Sequence, residues 1–148
     1  MMRNKQVYNL YSYRLSVKKM GEFVERFCKD VKPYRDHSFE EWYNYVKSIP
    51  YVEDVEAEII ARPLFIMEDQ KADCKKKSIL IASWCMLNEI PCRFVVMSNR
   101  ISKQPHHIFT EVYDLYLNEW IPADATYNSN RLGSKEKETY REEWEFVK

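Results

Sequence analysis

The chain has 148 residues, 45% of them hydrophobic, with only 2 glycines and with 23 Lys and Arg against 23 Asp and Glu. Two glycines cannot build G-x-G-x-x-G or P-loop turns, which need several residues without a Cβ to cradle phosphate. The balanced charge lacks the basic excess of a nucleic-acid binder, and the length suits one domain over residues 1–148, large enough to bury roughly 68–70% of its unfolded surface.

Polar Tyr, Asn and Ser interrupt residues 1–20, so no signal peptide is expected. Tyr8, Tyr11 and Tyr13 alternate with polar residues, a pattern that suits an exposed strand or a surface for a protein partner. Val17, Met20, Val24, Phe27 and Val31 recur at helical spacing and predict a helix over 17–31, capped by Ser16 and stopped by Pro33. Ser38-Phe39-Glu40-Glu41 reads as a capping box. It opens a short helix with Trp42, Val46 and Ile49 on one face, closed by Pro50. Residues 51–70 carry no single pattern, and Glu58 to Met67 mixes strand-like and loop-like pieces around Pro63. Asp73 is a plausible N-cap for a helix over Cys74 to Leu87, which Asn88 or Glu89 ends before Pro91. Within it, Ser78 to Asn88 is the least polar stretch, 11 residues long, far short of the roughly 20 that cross a bilayer. No membrane association is expected, and the cytoplasm is the expected location. Three strands follow, Cys92 to Met97, His107 to Tyr113 and Trp120 to Ala123. The tail from Asn128 to Glu143 is charged and weakly patterned, and Trp144, Phe146 and Val147 are expected to dock back on the domain.

Cys74 stands where a helix should begin. An ordinary thiol has a pKa of about 8.5, and a helix N-terminus stabilises an anion by only about 0.3–1 kcal/mol, under one pKa unit. A reactive cysteine at that place needs a cationic partner, and an imidazolium is the efficient choice. Lys75, Lys76 and Lys77 occupy the first turn, where acidic residues would be favoured. This is either a local rule broken at a functional site or three solvated lysines of little cost. Further on come His106, His107 and Asp124. A hairpin pairing His107 with Asp124 centres its turn between Leu115 and Tyr116, and the missing Gly or Pro there suggests a bulge. The order Cys, His, Asp then supplies nucleophile, base and orienter for acyl transfer. The backbone N–H of Cys74 and the side chain of Gln70 are the oxyanion candidates. Cys28, Cys74, Cys85 and Cys92 follow no C-x-x-C spacing, so free thiols are expected. A Cys74–Cys85–Cys92–His107 metal site lacks the usual close ligand pairs. Neither a metal nor a cofactor is expected.

These residues resemble the transglutaminase-like superfamily. The pieces are Asp73-Cys74, Ile90-Pro91-Cys92-Arg93, His107-Ile108-Phe109-Thr110-Glu111-Val112 and Trp120-Ile121-Pro122-Ala123-Asp124-Ala125-Thr126. They match G-x-C, G-I-P-x-R, H-x-W-x-E-V and W-x-x-x-D-x-T in order, over about residues 72–126. Ala72, Glu89 and Phe109 stand where the family has Gly, Gly and Trp, and Asn88 is a candidate to take a left-handed conformation in place of the second Gly. The resemblance implies an α+β, papain-like fold, with N-terminal helices and the nucleophile helix packed on an antiparallel sheet. It also implies a Cys74–His107–Asp124 triad, chooses His107 over His106, and sets Phe109 and Trp120 beside the His–Asp pair. The expected function is a thiol-dependent amide hydrolase or acyl transferase, a cysteine peptidase or transglutaminase-like enzyme acting on a protein or peptide through a thioester. The short nucleophile region is similar to small bacterial and phage members. The alternative is a catalytically inactive interaction module, such as a phage structural protein.

Overall fold

Among the described residues, four helices precede four strands: α1 (Lys5–Phe27), α2 (Phe39–Ser48), α3 (Pro63–Asp69), α4 (Cys74–Leu87), β1 (Cys92–Ser98), β2 (His107–Asp114), β3 (Glu119–Pro122) and β4 (Tyr140–Glu145). A 3₁₀ turn, Cys28–Tyr34, extends α1. The computed structural model describes residues 5–53 and 60–146, with side chains from Tyr13 onward.

Local signals account for most boundaries. Ser38 accepts from the Glu41 N–H at 3.1 Å while the Glu41 carboxylate accepts from the Ser38 N–H at 2.9 Å, the reciprocal capping box predicted for α2. Asp73 caps α4 by accepting from the Lys76 N–H at 3.0 Å. At the other end, Ile90 N–H reaches the Cys85 carbonyl at 2.8 Å and Glu89 N–H reaches that of Met86 at 3.1 Å, which is a Schellman closure. Such a closure needs one left-handed residue. That residue is Glu89, at φ 57°, and not Asn88, which keeps φ −96°. Glu89 therefore adopts the conformation for which the family pattern has glycine, at a cost on the order of 1 kcal/mol. Ala72 is absent from the positive-φ residues, so the backbone makes no such demand at the other substituted glycine.

The N-terminal reading needs three corrections. Helix α1 begins at Lys5, so Ser16 is not its cap but a buried interior residue. Pro33 lies inside the 3₁₀ turn and does not end the α-helix, which tightens at Cys28. The tyrosine alternation is not a strand, because the backbone there is helical. The side chains of Tyr8 and Tyr11 lie outside the described residues, and Tyr13 packs against the core. Of the unpatterned stretch 51–70, residues 54–59 lie outside the described residues, while Pro63 opens α3 at its first position, where a missing N–H costs nothing.

The sheet runs β3-β2-β1-β4 and is antiparallel throughout. Helix α4 is buried on eleven of its fourteen residues and packs against α1, the 3₁₀ turn, β1 and β2. A helix covered on all sides is the centre of a fold rather than an amphipathic cover. Trp42 and Tyr43 of α2, Ile79 to Ala82 of α4, and Phe94, Val96 and Ile108 of the sheet form the main core. Among the described residues, no helix is long and apolar enough to cross a membrane.

Strand β4 was hidden in the charged tail. It pairs along β1 from Arg93↔Glu145 to Ser98↔Tyr140, and Arg14 of α1 meets Glu142 at 3.2 Å. Trp144 and Phe146 pack against the core as expected; Val147 lies outside the described residues. The β2–β3 hairpin pairs Glu111 with Pro122 and Asp114 with Glu119, which centres its turn between Tyr116 and Leu117 rather than one position earlier. The turn closes without Gly because Asn118 takes φ 55° and the Asp114 carboxylate accepts from the N–H groups of Tyr116 and Leu117 at 2.8 and 3.1 Å. In this register residue 124 lies level with Phe109 instead of His107, a shift of two that keeps every side chain on its face.

Candidate active site

Alternation along β2 separates site from core. Ile108, Thr110 and Val112 are buried, and Ser78 of α4 ties that face down by accepting from the Thr110 hydroxyl at 3.1 Å through its carbonyl. His107, Phe109 and Glu111 point the other way and line a cleft of about 760 Å³. Cys74 reaches the same cleft from the N-terminus of α4, and Asp124 reaches it from the segment just past β3.

Within the cleft, His107 Nε2 lies 2.6 Å from Asp124 Oδ2. The other carboxylate oxygen accepts from the Thr126 hydroxyl at 2.6 Å and from the Thr126 N–H at 3.0 Å, while the Tyr43 hydroxyl donates to the Asp124 carbonyl at 2.7 Å. Both carboxylate oxygens are thus engaged, which fixes the ring's tilt. Burial disfavours the charged ring, but the hydrogen bonds it donates to Asp124 and to Cys74, with the negative charge of both, outweigh it and raise the His107 pKa to about 10. Burial likewise opposes the Asp124 charge, and His107 together with Thr126 reverses that and holds it below the ordinary carboxylate range. Two opposite shifts on one contact describe an imidazolium–carboxylate pair at neutral pH. With Nε2 committed to Asp124, Nδ1 is the ring nitrogen left for Cys74.

The structure brings Cys74, His107 and Asp124 into one cleft and leaves Gln70 out of it. Gln70 caps α3 in the left-handed conformation, and its side-chain amide donates to the Tyr45 hydroxyl at 3.1 Å. In its stead the cleft presents Tyr51, which sequence reading missed. A short parallel bridge holds Tyr51 beside Ala72, two residues before the nucleophile position, and its ring meets Tyr127 at 5.0 Å. Burial, then the neighbouring charge of Cys74, raises the Tyr51 pKa far above its ordinary value, so its hydroxyl stays a donor. No local signal marks Tyr51, because its segment is irregular.

The lysine run is not three solvated side chains, since Lys75 and Lys77 are buried. Lys75 Nζ pairs with Asp73 Oδ2 at 2.8 Å, and Lys77 Nζ donates to the carbonyls of Thr126 at 2.9 Å and Lys47 at 3.3 Å. The ring of Phe109 lies parallel to that of His107 with centroids 5.9 Å apart. Trp120 shares the cleft, but its ring packs under Arg93 at 4.1 Å and against Tyr113. The Arg and Glu of the sequence motif are directly opposed cross-strand partners: Arg93 Nε donates to Glu111 Oε1 at 2.9 Å, and Arg141 of β4 reaches the same oxygen at 2.5 Å. Cys85 and Cys92 are buried in the core, away from the cleft lining. Among the described residues, no group of three or more His, Cys, Asp or Glu is placed to hold a metal ion. His106 turns aside to Asn99, with Nε2 at 2.9 Å from its side-chain oxygen.

A helix that brings a cysteine to an antiparallel sheet, where a His on one strand pairs with an Asp just past the next, is the plan of a papain-like α+β protein. The chain belongs to the transglutaminase-like superfamily, whose sequence model matches residues 22–125 and so reaches well upstream of the motifs. Its fold is similar to the crystal structure of a candidate cysteine protease from Cytophaga hutchinsonii, with a TM-score of 0.52 and 11% identity over 83% of this chain. The likeness spans about half (51%) of that protein's length. Among curated proteins, none matches the sequence.

Proposed function

We propose that the protein is a thiol-dependent amide hydrolase that acts on a protein or peptide through a Cys74–His107–Asp124 triad and a thioester intermediate. The observation that carries this reading is the 2.6 Å His107–Asp124 pair, which shares its cleft with the helix-terminal Cys74. Cys74 Sγ, as thiolate, attacks the amide carbonyl carbon, and the oxyanion so formed meets the Cys74 N–H and the Tyr51 hydroxyl. The imidazolium gives its Nδ1 proton to the leaving nitrogen, the C–N bond breaks, and a thioester and a neutral imidazole remain. Water then attacks the thioester while Nδ1 takes its proton. The C–S bond breaks, the acid leaves, and the charged pair is restored. Asp124 orients the ring and stabilises its charge at each stage. An amine in place of water would turn the same intermediate to transamidation; water is the acceptor always at hand.

Site-resolved alkylation with iodoacetamide between pH 5 and 9 tests this, with the half-buried Cys28 as internal control. Cys74 should react at pH 6, and His107→Ala should slow that reaction about tenfold or more, since the thiolate is the nucleophile. Cys74 and Cys28 with one common pH dependence, indifferent to His107→Ala, would overturn the reading and leave a non-catalytic binding module of the same fold. Electrophilic peptide libraries, scored on the intact protein, would then identify the acyl group accepted.

A further inference from the structure

Lys77 is a charge with no part in the chemistry above, yet it is 2% exposed. It lies one helical turn beyond Cys74, in a helix whose other inward positions are mostly apolar or small. Burying an ammonium costs several kcal/mol unless its donors are satisfied, so its partners indicate what it is for. They are two backbone carbonyls from separate elements, Thr126 at 2.9 Å and Lys47 of α2 at 3.3 Å. Thr126 is also the residue that holds Asp124 by both its N–H and its hydroxyl. A continuous path therefore leads from Lys77 through Thr126 and Asp124 to His107 and back to Cys74 on the same helix.

We propose that Lys77 is a positioning residue that ties the segment 124–126 to α4, so that both partners of His107 are referenced to one buried helix. The inference rests on the triad reading. An apolar side chain could fill the same volume, but it could not hold two carbonyls. Hydrogen bonding to main-chain oxygen fixes the path of the segment whatever side chains it carries. The Asp124 charge faces this ammonium, partly offsetting the burial that lowers the Lys77 pKa to about 8.

Charge and position predict opposite consequences of removing Lys77. If its charge alone mattered, losing a cation near His107 would favour the imidazolium and raise the His107 midpoint. If it positions the segment, Asp124 drifts from the ring, burial goes unopposed, and the midpoint falls. The imidazole titration of His107, followed by NMR in a chain with only 3 histidines, distinguishes the two. Lys77→Met should lower the midpoint by about 1–3 units, the range associated with losing a close opposite charge, and slow Cys74 alkylation at pH 6. Lys77→Gln, which keeps donors on a side chain one atom shorter, should lower it less. It serves as the decisive variant if Lys77→Met does not fold. A folded variant whose His107 midpoint is unchanged or raised overturns the proposal, even if its melting temperature has dropped. Failure of the triad reading looks different, because wild-type His107 would then titrate near the ordinary 6.5.

Discussion

Asp124→Asn should uncouple the histidine from its counter-charge while leaving the shape of the site intact. The amide occupies the same volume and can still accept from Thr126, so the fold survives and the loss is electrostatic. In the wild type, burial pushes the imidazolium pKa down, and Asp124 and then Cys74 bring it up to about 10. A carboxylate within hydrogen-bonding distance shifts a cationic neighbour by about 1–3 units. Its removal should therefore bring the midpoint to about 8, a loss of about 3 kcal/mol between the two protonation states. The sign follows from the charge: the ring is protonated below its midpoint, so the imidazolium is lost at a lower pH in the variant. At pH 9 the protonated fraction should fall from about nine-tenths to about a tenth, by the same two-unit shift. NMR titration of the His107 ring measures this directly, and alkylation of Cys74 reads the consequence. A variant that stays folded and still titrates near 10 would refute the assignment of Asp124 as the main source of the raised pKa.

Two other outcomes follow from the cleft. Tyr51→Phe removes a hydroxyl from the cleft that Cys74 lines without disturbing the bridge to Ala72. Acylation by p-nitrophenyl acetate, followed as burst rate, should slow by about 10²–10³ with alkylation of Cys74 unchanged, as expected for a lost oxyanion donor. Equal losses in both assays would point instead to a disturbed nucleophile. Glu111→Gln leaves Arg93 and Arg141 facing each other without the nearly buried carboxylate they share. Breaking a buried pair on one side costs about 3–5 kcal/mol, which urea denaturation should report; a loss under about 1 kcal/mol would mean that Glu143 and Glu138 already suffice.

The surface charge Lys75 and Lys77 carry in the sequence, and the burial they have in the structure, illustrate the limit of reading a chain one segment at a time. Capping at Ser38 and Asp73, the period of α2 and α4, and the strand character of β1 to β3 were all legible, because each depends on neighbours within a few positions. The triad candidates were legible for a second reason: four motif pieces occur in the right order. Strand β4 was not, since its charged residues pair with Arg93 and Glu111 across the sheet and give no apolar alternation to detect. The start of α1 was missed because a polar helix can be held by packing rather than by its own pattern.

What the sequence by itself determined is the set of elements that carry Cys74 and His107, and the order of the four motif pieces along them. Tertiary structure decided which groups complete the site. Tyr51, and not Gln70, shares the cleft with Cys74, because an irregular segment is bridged to Ala72. Asp124 came to His107 from beyond the end of β3, held by Tyr43 from 81 positions away and by a lysine 49 positions from Thr126. Contacts that distant leave no periodic trace. They exist only once α4 is buried at the centre of the fold, where an unsatisfied ammonium or carbonyl would be costly enough to require each of these partners.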